Sequence, residues 1–131
     1  TKGKTGGMRN MGGNGRVGFY KGMLFQSSWE LAFMVYHLEN SIPFERNKNF
    51  FYYFYSGKKS KFYPDFIKNN VYYEIKAFPS EKTDAKIKNF PHEIKILYRK
   101  EVEVYIQFCI EKYGKDFVNI LRDKKSLIPV P

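Results

Sequence analysis

Two hydrophobic periods alternate along this chain, and the switches between them lay out its elements. In "SSWELAFMVYHLEN", Leu31, Met34, Val35 and Leu38 recur on one face at 3.6 residues per turn, which predicts a helix over 28–39. Ser27 and Glu30 stand ahead of the apolar run with the Ser-x-x-Glu spacing of a capping box. Glu30 falls at the edge of the stripe, roughly in line with Phe33 and His37. From residue 42 the pattern changes to aromatic-rich runs that read as strands over 43–47, 50–55, 61–67 and 71–77. Ser56-Gly57 and Asn69-Asn70 are turn signals, so the last three runs are expected to form a meander. Pro64 marks a sheet edge, a bulge or a strand end. After Pro79, "SEKTDAKIKNF" reads as a helix capped by Ser80. A short strand follows in "EIKILYRK", where Ile94, Ile96 and Tyr98 alternate with charge. The helix in "EVEVYIQFCIEKYG" stops at Gly114, and Asp116 is the expected cap of a last short helix through 121. The order is helix, four strands, helix, strand, helix. It predicts an α/β (α+β) fold with a mixed central sheet of about five strands flanked by helices.

The first 22 residues follow neither period. They hold eight of the ten glycines, five Lys or Arg and no acid, so they cannot bury a core of their own. They are expected to form a basic, glycine-rich arm, with the folded domain over 23–131. Lys2, Lys4, Arg9, Arg16 and Lys21 populate that arm, and Lys58, Lys59 and Lys61 crowd one hairpin turn. Such residues would contact phosphates and give affinity that depends on salt, without choosing sequence.

Composition sharpens the partner. The chain has 131 residues, 43% hydrophobic and 19% aromatic, which suits one domain with a real core. Its formal net charge of +10 points to a polyanion, with nucleic acid ahead of an anionic membrane. The basic residues lie in a Gly-rich segment and a hairpin, not on an amphipathic helix, which argues against a membrane surface. No run approaches the ~18 apolar residues of a membrane span. Cys109 is the single cysteine, so no disulfide can form within the chain, and an intracellular setting is expected. The chain starts at Thr1, so further residues upstream are expected in the full-length protein.

Candidate chemistry lies in "KFYPDFIKNNVYYEIKAF". Strand side chains alternate, so Val71, Tyr73, Ile75 and Ala77 share one face and Tyr72, Glu74 and Lys76 the other. Pairing through the Asn69-Asn70 turn sets Asp65 beside Glu74. Two adjacent carboxylates repel, and a hard divalent cation is the natural partner for them. Mg²⁺ is expected, with Mn²⁺ able to substitute. Asp65, Glu74 and the carbonyl of Ile75 would be its ligands, and Glu30 could complete the site through a water. Lys76 beside the ion could orient or deprotonate that water, or stabilise developing negative charge. A solvated cross-strand ion pair is the simpler reading of the same residues. The Pro-Asp, the gap and the Glu-x-Lys on adjacent strands behind a Glu-bearing helix make the site the stronger one.

These residues resemble the PD-(D/E)xK nuclease superfamily. The signature stands as Pro64-Asp65 and Glu74-Ile75-Lys76, with Glu30 on the preceding helix. Within that superfamily, "GFYKG", "SSWELAF", "IPFERN", "YYEIKAF" and "YGKDF" are similar to small phage and giant-virus homing endonucleases of the Vsr-like branch. The likeness covers roughly residues 18–121. Ala77 departs from the glycine that many relatives carry after the lysine. The resemblance implies a restriction-endonuclease-like core and metal-dependent hydrolysis of phosphodiesters in double-stranded DNA. It also implies a phage- or virus-encoded protein acting in the host cytoplasm. Asp65 and Glu74 would bind the metal, Lys76 would assist catalysis, and Glu30 would support the metal or its water. His37 is the accessory candidate for the histidine that the Vsr-like branch often uses, beside a structural role in the helix. One such site cuts one strand at a time, so a double-strand break needs a homodimer or two visits. A catalytically inactive nucleic-acid-binding module of the same fold, and an RNA-processing nuclease, stay open from sequence.

Overall fold

Three two-residue turns set the strand pairing. Lys21-Gly22, Ser56-Gly57 and Asn69-Asn70 have φ of 50° and 81°, 53° and 72°, and 53° and 66°. Two consecutive positive φ angles define a type I′ turn, whose twist matches that of antiparallel strands. Glycine takes this conformation freely and asparagine more easily than other side chains.

The computed structural model describes residues 17–124. The elements are β1 (Gly18–Tyr20), β2 (Met23–Phe25), α1 (Ser28–Glu39), β3 (Glu45–Arg46), β4 (Phe51–Tyr55), β5 (Lys58–Phe62), β6 (Phe66–Lys68), β7 (Val71–Ile75), α2 (Glu81–Lys88), β8 (Ile94–Leu97), α3 (Arg99–Tyr113) and α4 (Phe117–Leu121). The fold is mixed α+β. It comprises two compact units, one over 42–101 and one built from the residues on either side; the boundary falls inside α3.

In the first unit, β1 and β2 form an antiparallel hairpin through Lys21-Gly22. The Asp123 carboxylate accepts the turn's two backbone N–H groups, from Lys21 at 2.9 Å and Gly22 at 2.8 Å. Residues 18–22, which composition assigns to the arm, therefore belong to an ordered hairpin. The helix α1 has the expected bounds. The Ser27 hydroxyl accepts the Glu30 N–H at 3.1 Å, and the Glu30 carboxylate accepts the Gln26 N–H at 3.1 Å. The burial of α1 is broader than a single stripe. Trp29 through Val35 are all buried, while Leu38 is exposed. At the far end of α1, Glu39 accepts hydrogen bonds from Lys112 and Tyr113 of α3. Burial opposes ionisation of Glu39, but these two donors hold its carboxyl below the usual range. Burial first, and Glu39 second, push the Tyr20 hydroxyl up to about 12. Asp116 precedes α4 but makes no side-chain cap; its carboxylate accepts instead from the Asn119 amide at 2.7 Å.

In the second unit, a four-stranded sheet runs β3-β6-β7-β8. β3, β6 and β7 are successively antiparallel, and β8 lies parallel to β7 after the α2 crossover. The hairpin β4–β5 is a separate ribbon. This corrects the expected sheet of about five strands and the three-strand meander. The run over 61–67 is split at Pro64, which cannot donate to a ladder: its first residues end β5 and its last begin β6. The ribbon's inner face meets the sheet, and Phe90 just past α2, through aromatics. Phe51 packs against Tyr72 and Phe90 with ring centroids 5.4 and 4.6 Å apart, and Tyr53 lies against Phe62 at 6.4 Å.

The Asn69-Asn70 turn fixes the β6–β7 register, so its cost is testable. Asn70→Ala places a Cβ without local hydrogen bonding at φ 66°. It should destabilise the protein by about 1 kcal/mol, or roughly 4 °C in Tm. Asn70→Gly should melt at or above the wild type. Equal melting of both variants would show that the turn is not what holds the register.

Candidate active site

The site starts at the Pro64 break. Asn47 is buried, and its side-chain amide donates to the Pro64 carbonyl at 2.8 Å and to the Asn49 carbonyl at 2.7 Å. Its backbone N–H donates to the Asp65 carbonyl at 3.0 Å. One asparagine thus holds the backbone of the Pro-Asp pair from the neighbouring segment, next to β3. β6 then pairs with β7 in the register Phe66↔Tyr73, Ile67↔Tyr72 and Lys68↔Val71. One step further along the same register sets Asp65 opposite Glu74. The Asp65 carboxylate accepts the Ile75 N–H at 2.8 Å, which anchors it at the end of β7. The Lys76 N–H continues the parallel ladder to the Leu97 carbonyl at 3.0 Å.

Glu74 and Lys76 face the same way, as expected, and the Lys76 ammonium lies 3.6 Å from the Glu74 carboxylate. Their environments differ: the Glu74 side chain is 7% exposed and that of Lys76 34%. Tyr73 and Glu74 are both buried and Ala77 is exposed, so both faces of β7 are covered at the site. A buried carboxylate requires compensation, and the nearby lysines supply it. Lys86 of α2 is the second of these. Burial first, and then the neighbouring Lys76, push its pKa below the ordinary value, while Glu74 works in the opposite direction.

Lys76, Lys82 and Lys86 line one cleft of about 230 Å³ with Thr83 and Ser80. Ser80 caps α2, its hydroxyl accepting the Thr83 N–H at 3.1 Å. Lys82 and Lys86 were not among the expected site residues. Their i, i+4 spacing behind a capped start, which puts both on one helix face, was the available signal. Asn47 had no such signal, because its role depends on a segment 17 residues away.

The other expected residues stand on other elements. Glu30 and His37 belong to α1 of the first unit. Glu30 closes the capping box, and His37 is buried with its Nδ1 2.7 Å from the Phe33 carbonyl and its ring stacked on Phe33 at 3.9 Å. Lys58, Lys59 and Lys61 are exposed on the β4–β5 ribbon, and Lys21 sits in the β1–β2 turn. Lys2, Lys4, Arg9 and Arg16 lie outside the described residues.

Among the described residues, no group of three or more His, Cys, Asp and Glu comes together as a metal site. Two carboxylates and a backbone carbonyl remain: Asp65, Glu74 and Ile75. This all-oxygen set suits Mg²⁺, which keeps several waters and commonly takes only one or two protein carboxylates beside substrate phosphate. It offers nothing for a soft-ligand site.

Lys86 gives the site a stability cost that can be measured. Its ammonium is disfavoured by burial, so Lys86→Met should raise Tm at neutral pH. The advantage is full while both folded and unfolded lysine hold their proton. It should shrink as pH rises through the lowered folded pKa and vanish above 10.5, where both are neutral. A lower Tm for the methionine variant would show that attraction to Glu74 outweighs the burial of Lys86.

Comparison of the chain with protein-family models, with curated proteins and with solved structures yields no match.

Proposed function

We propose that this protein is a metal-dependent endonuclease that hydrolyses phosphodiester bonds in DNA, built on a restriction-endonuclease-like core. The observation that carries the reading is the clustering of Asp65, Glu74 and Lys76 at the end of one strand pair, where Lys76 lines a cleft with Lys82 and Lys86. An ornamental surface ion pair needs neither a buried Glu74 nor a Pro-Asp backbone held by a buried asparagine. The element order also supports it: a helix, three antiparallel strands, a crossover helix and a parallel fourth strand, with β4–β5 as an insertion. The net charge of +10 supports a polyanionic substrate.

In this account Asp65, Glu74 and the Ile75 carbonyl would hold Mg²⁺. The bound ion would polarise a phosphate oxygen and lower the pKa of its water. The Ile75 N–H keeps one Asp65 oxygen fixed, so the carboxylate is pre-oriented. Lys76, beside Glu74, donates hydrogen bonds to the scissile phosphate and stabilises negative charge as it develops. Lys82 and Lys86 seat a phosphate in the cleft. Burial of Glu74 keeps water away from one side of the site and strengthens these interactions.

The test is cleavage of supercoiled plasmid with Mg²⁺, with Mn²⁺ and with EDTA, by the wild type, Asp65→Asn and Lys76→Ala. Both variants should keep the wild-type circular-dichroism spectrum and bind DNA, while cleavage falls at least about 100-fold. Tight binding with no cleavage in any metal would identify an inactive binding module. Cleavage that persists in EDTA would remove the metal from the account.

A further inference from the structure

The outer face of the β4–β5 ribbon is unusual for a surface. The pairing Tyr52↔Lys61 and Phe54↔Lys59 puts these four residues on one side of the ribbon, and Phe50 and Tyr63 extend it at the open end. Phe54 is 67% exposed, Tyr52 55%, Tyr63 54% and Phe50 40%. The Lys59 ammonium lies 4.2 Å from the Tyr52 ring centroid and that of Lys61 4.4 Å from Phe50. Four exposed aromatic rings in a row are not needed to fold the ribbon. Its inner face, with Phe51, Tyr53 and Phe62, already packs on its own unit. Contiguous exposed rings of this kind mark a binding surface.

Below the ribbon, Tyr52–Phe54 and the end of α2 enclose a second cleft of about 350 Å³, with Lys88 and Asn89 at its wall. Lys86 lines both this cleft and the one at Lys76.

We propose that the Phe50, Tyr52, Phe54 and Tyr63 face of the ribbon, with Lys59 and Lys61, binds the unstacked bases of single-stranded DNA. Every base has a π-face, so aromatic rings bind a strand with little sequence preference. The lysines lie in the same plane of contact and meet the phosphates between stacked bases. This charge complementarity favours a nucleic acid over a second copy of this chain, which is itself strongly basic. The Asn89 amide at the cleft wall carries the donor and acceptor needed to meet a base edge. The inference shares the nucleic-acid reading of the chain and does not depend on cleavage.

The test is fluorescence anisotropy of fluorescein-labelled dT12, its duplex with dA12, and rU12, with the full chain in EDTA. dT12 should bind more tightly than the duplex and than rU12. The double variant Tyr52→Ala/Phe54→Ala should lose about tenfold or more in dT12 affinity with an unchanged salt slope. Tyr52→Phe/Phe54→Tyr should retain wild-type affinity, which separates lost stacking from lost structure. Lys59→Ala/Lys61→Ala should lower the salt slope instead. Unchanged dT12 binding by the alanine variant overturns the proposal. So does tighter binding of the duplex or of rU12, or a concentration-dependent dimer that the alanine variant abolishes. A chain that binds dT12 as described but cuts no plasmid keeps this proposal and loses the nuclease reading.

Discussion

Two successive left-handed residues, Asn69 and Asn70, decide where Asp65 meets β7. A type I′ turn of two residues leaves no freedom in the pairing of the strands it joins. A slip of one residue would move every side chain of β7 to the opposite face. Glu74 would then leave the face it shares with Lys76 and Lys86, and Asp65 would no longer lie across from it. The Asn47 amide on the Pro64 carbonyl and the Ile75 N–H on the Asp65 carboxylate hold the other end of the same strand pair. The site is thus a consequence of register, fixed at one end by a turn and at the other by a buried asparagine.

The charges at the site follow from burial. Glu74 is taken out of water, and a lone buried carboxylate would be costly. Lys76 at 3.6 Å and Lys86 on α2 make its ionised form tolerable. The lysines in turn crowd one another, and burial weakens the charge on Lys86. A fold optimised for stability alone would use fewer charges here. Perturbed charges of this kind cluster at functional sites.

Much of this was legible in the chain. The α1 bounds follow from the Ser27 and Glu30 pattern and were met to the residue. The Asn69-Asn70 turn and the shared face of Glu74 and Lys76 follow from local chemistry with a period of two. Three features did not follow. The β1–β2 hairpin was hidden because glycine-rich composition masked a Lys-Gly turn, whose N–H groups are satisfied by Asp123, 101 and 102 residues away. The run over 61–67 reads as one strand by periodicity, yet Pro64 divides it between a ribbon and a sheet. The burial of Glu74 was also invisible, because alternation places a side chain on a face without saying whether another element covers that face. Long-range contacts decide all three, and no window of neighbouring residues contains them.

The central claim is that Asp65, Glu74 and the Ile75 carbonyl together make a divalent-cation site. Paramagnetic broadening of backbone amide resonances by substoichiometric Mn²⁺ tests it without DNA and without turnover. The account predicts early loss of signal for Asp65, Glu74, Ile75 and Lys76, reversed by excess Mg²⁺ and absent in Asp65→Asn. Broadening centred on other carboxylates, or none at these four amides, would contradict it.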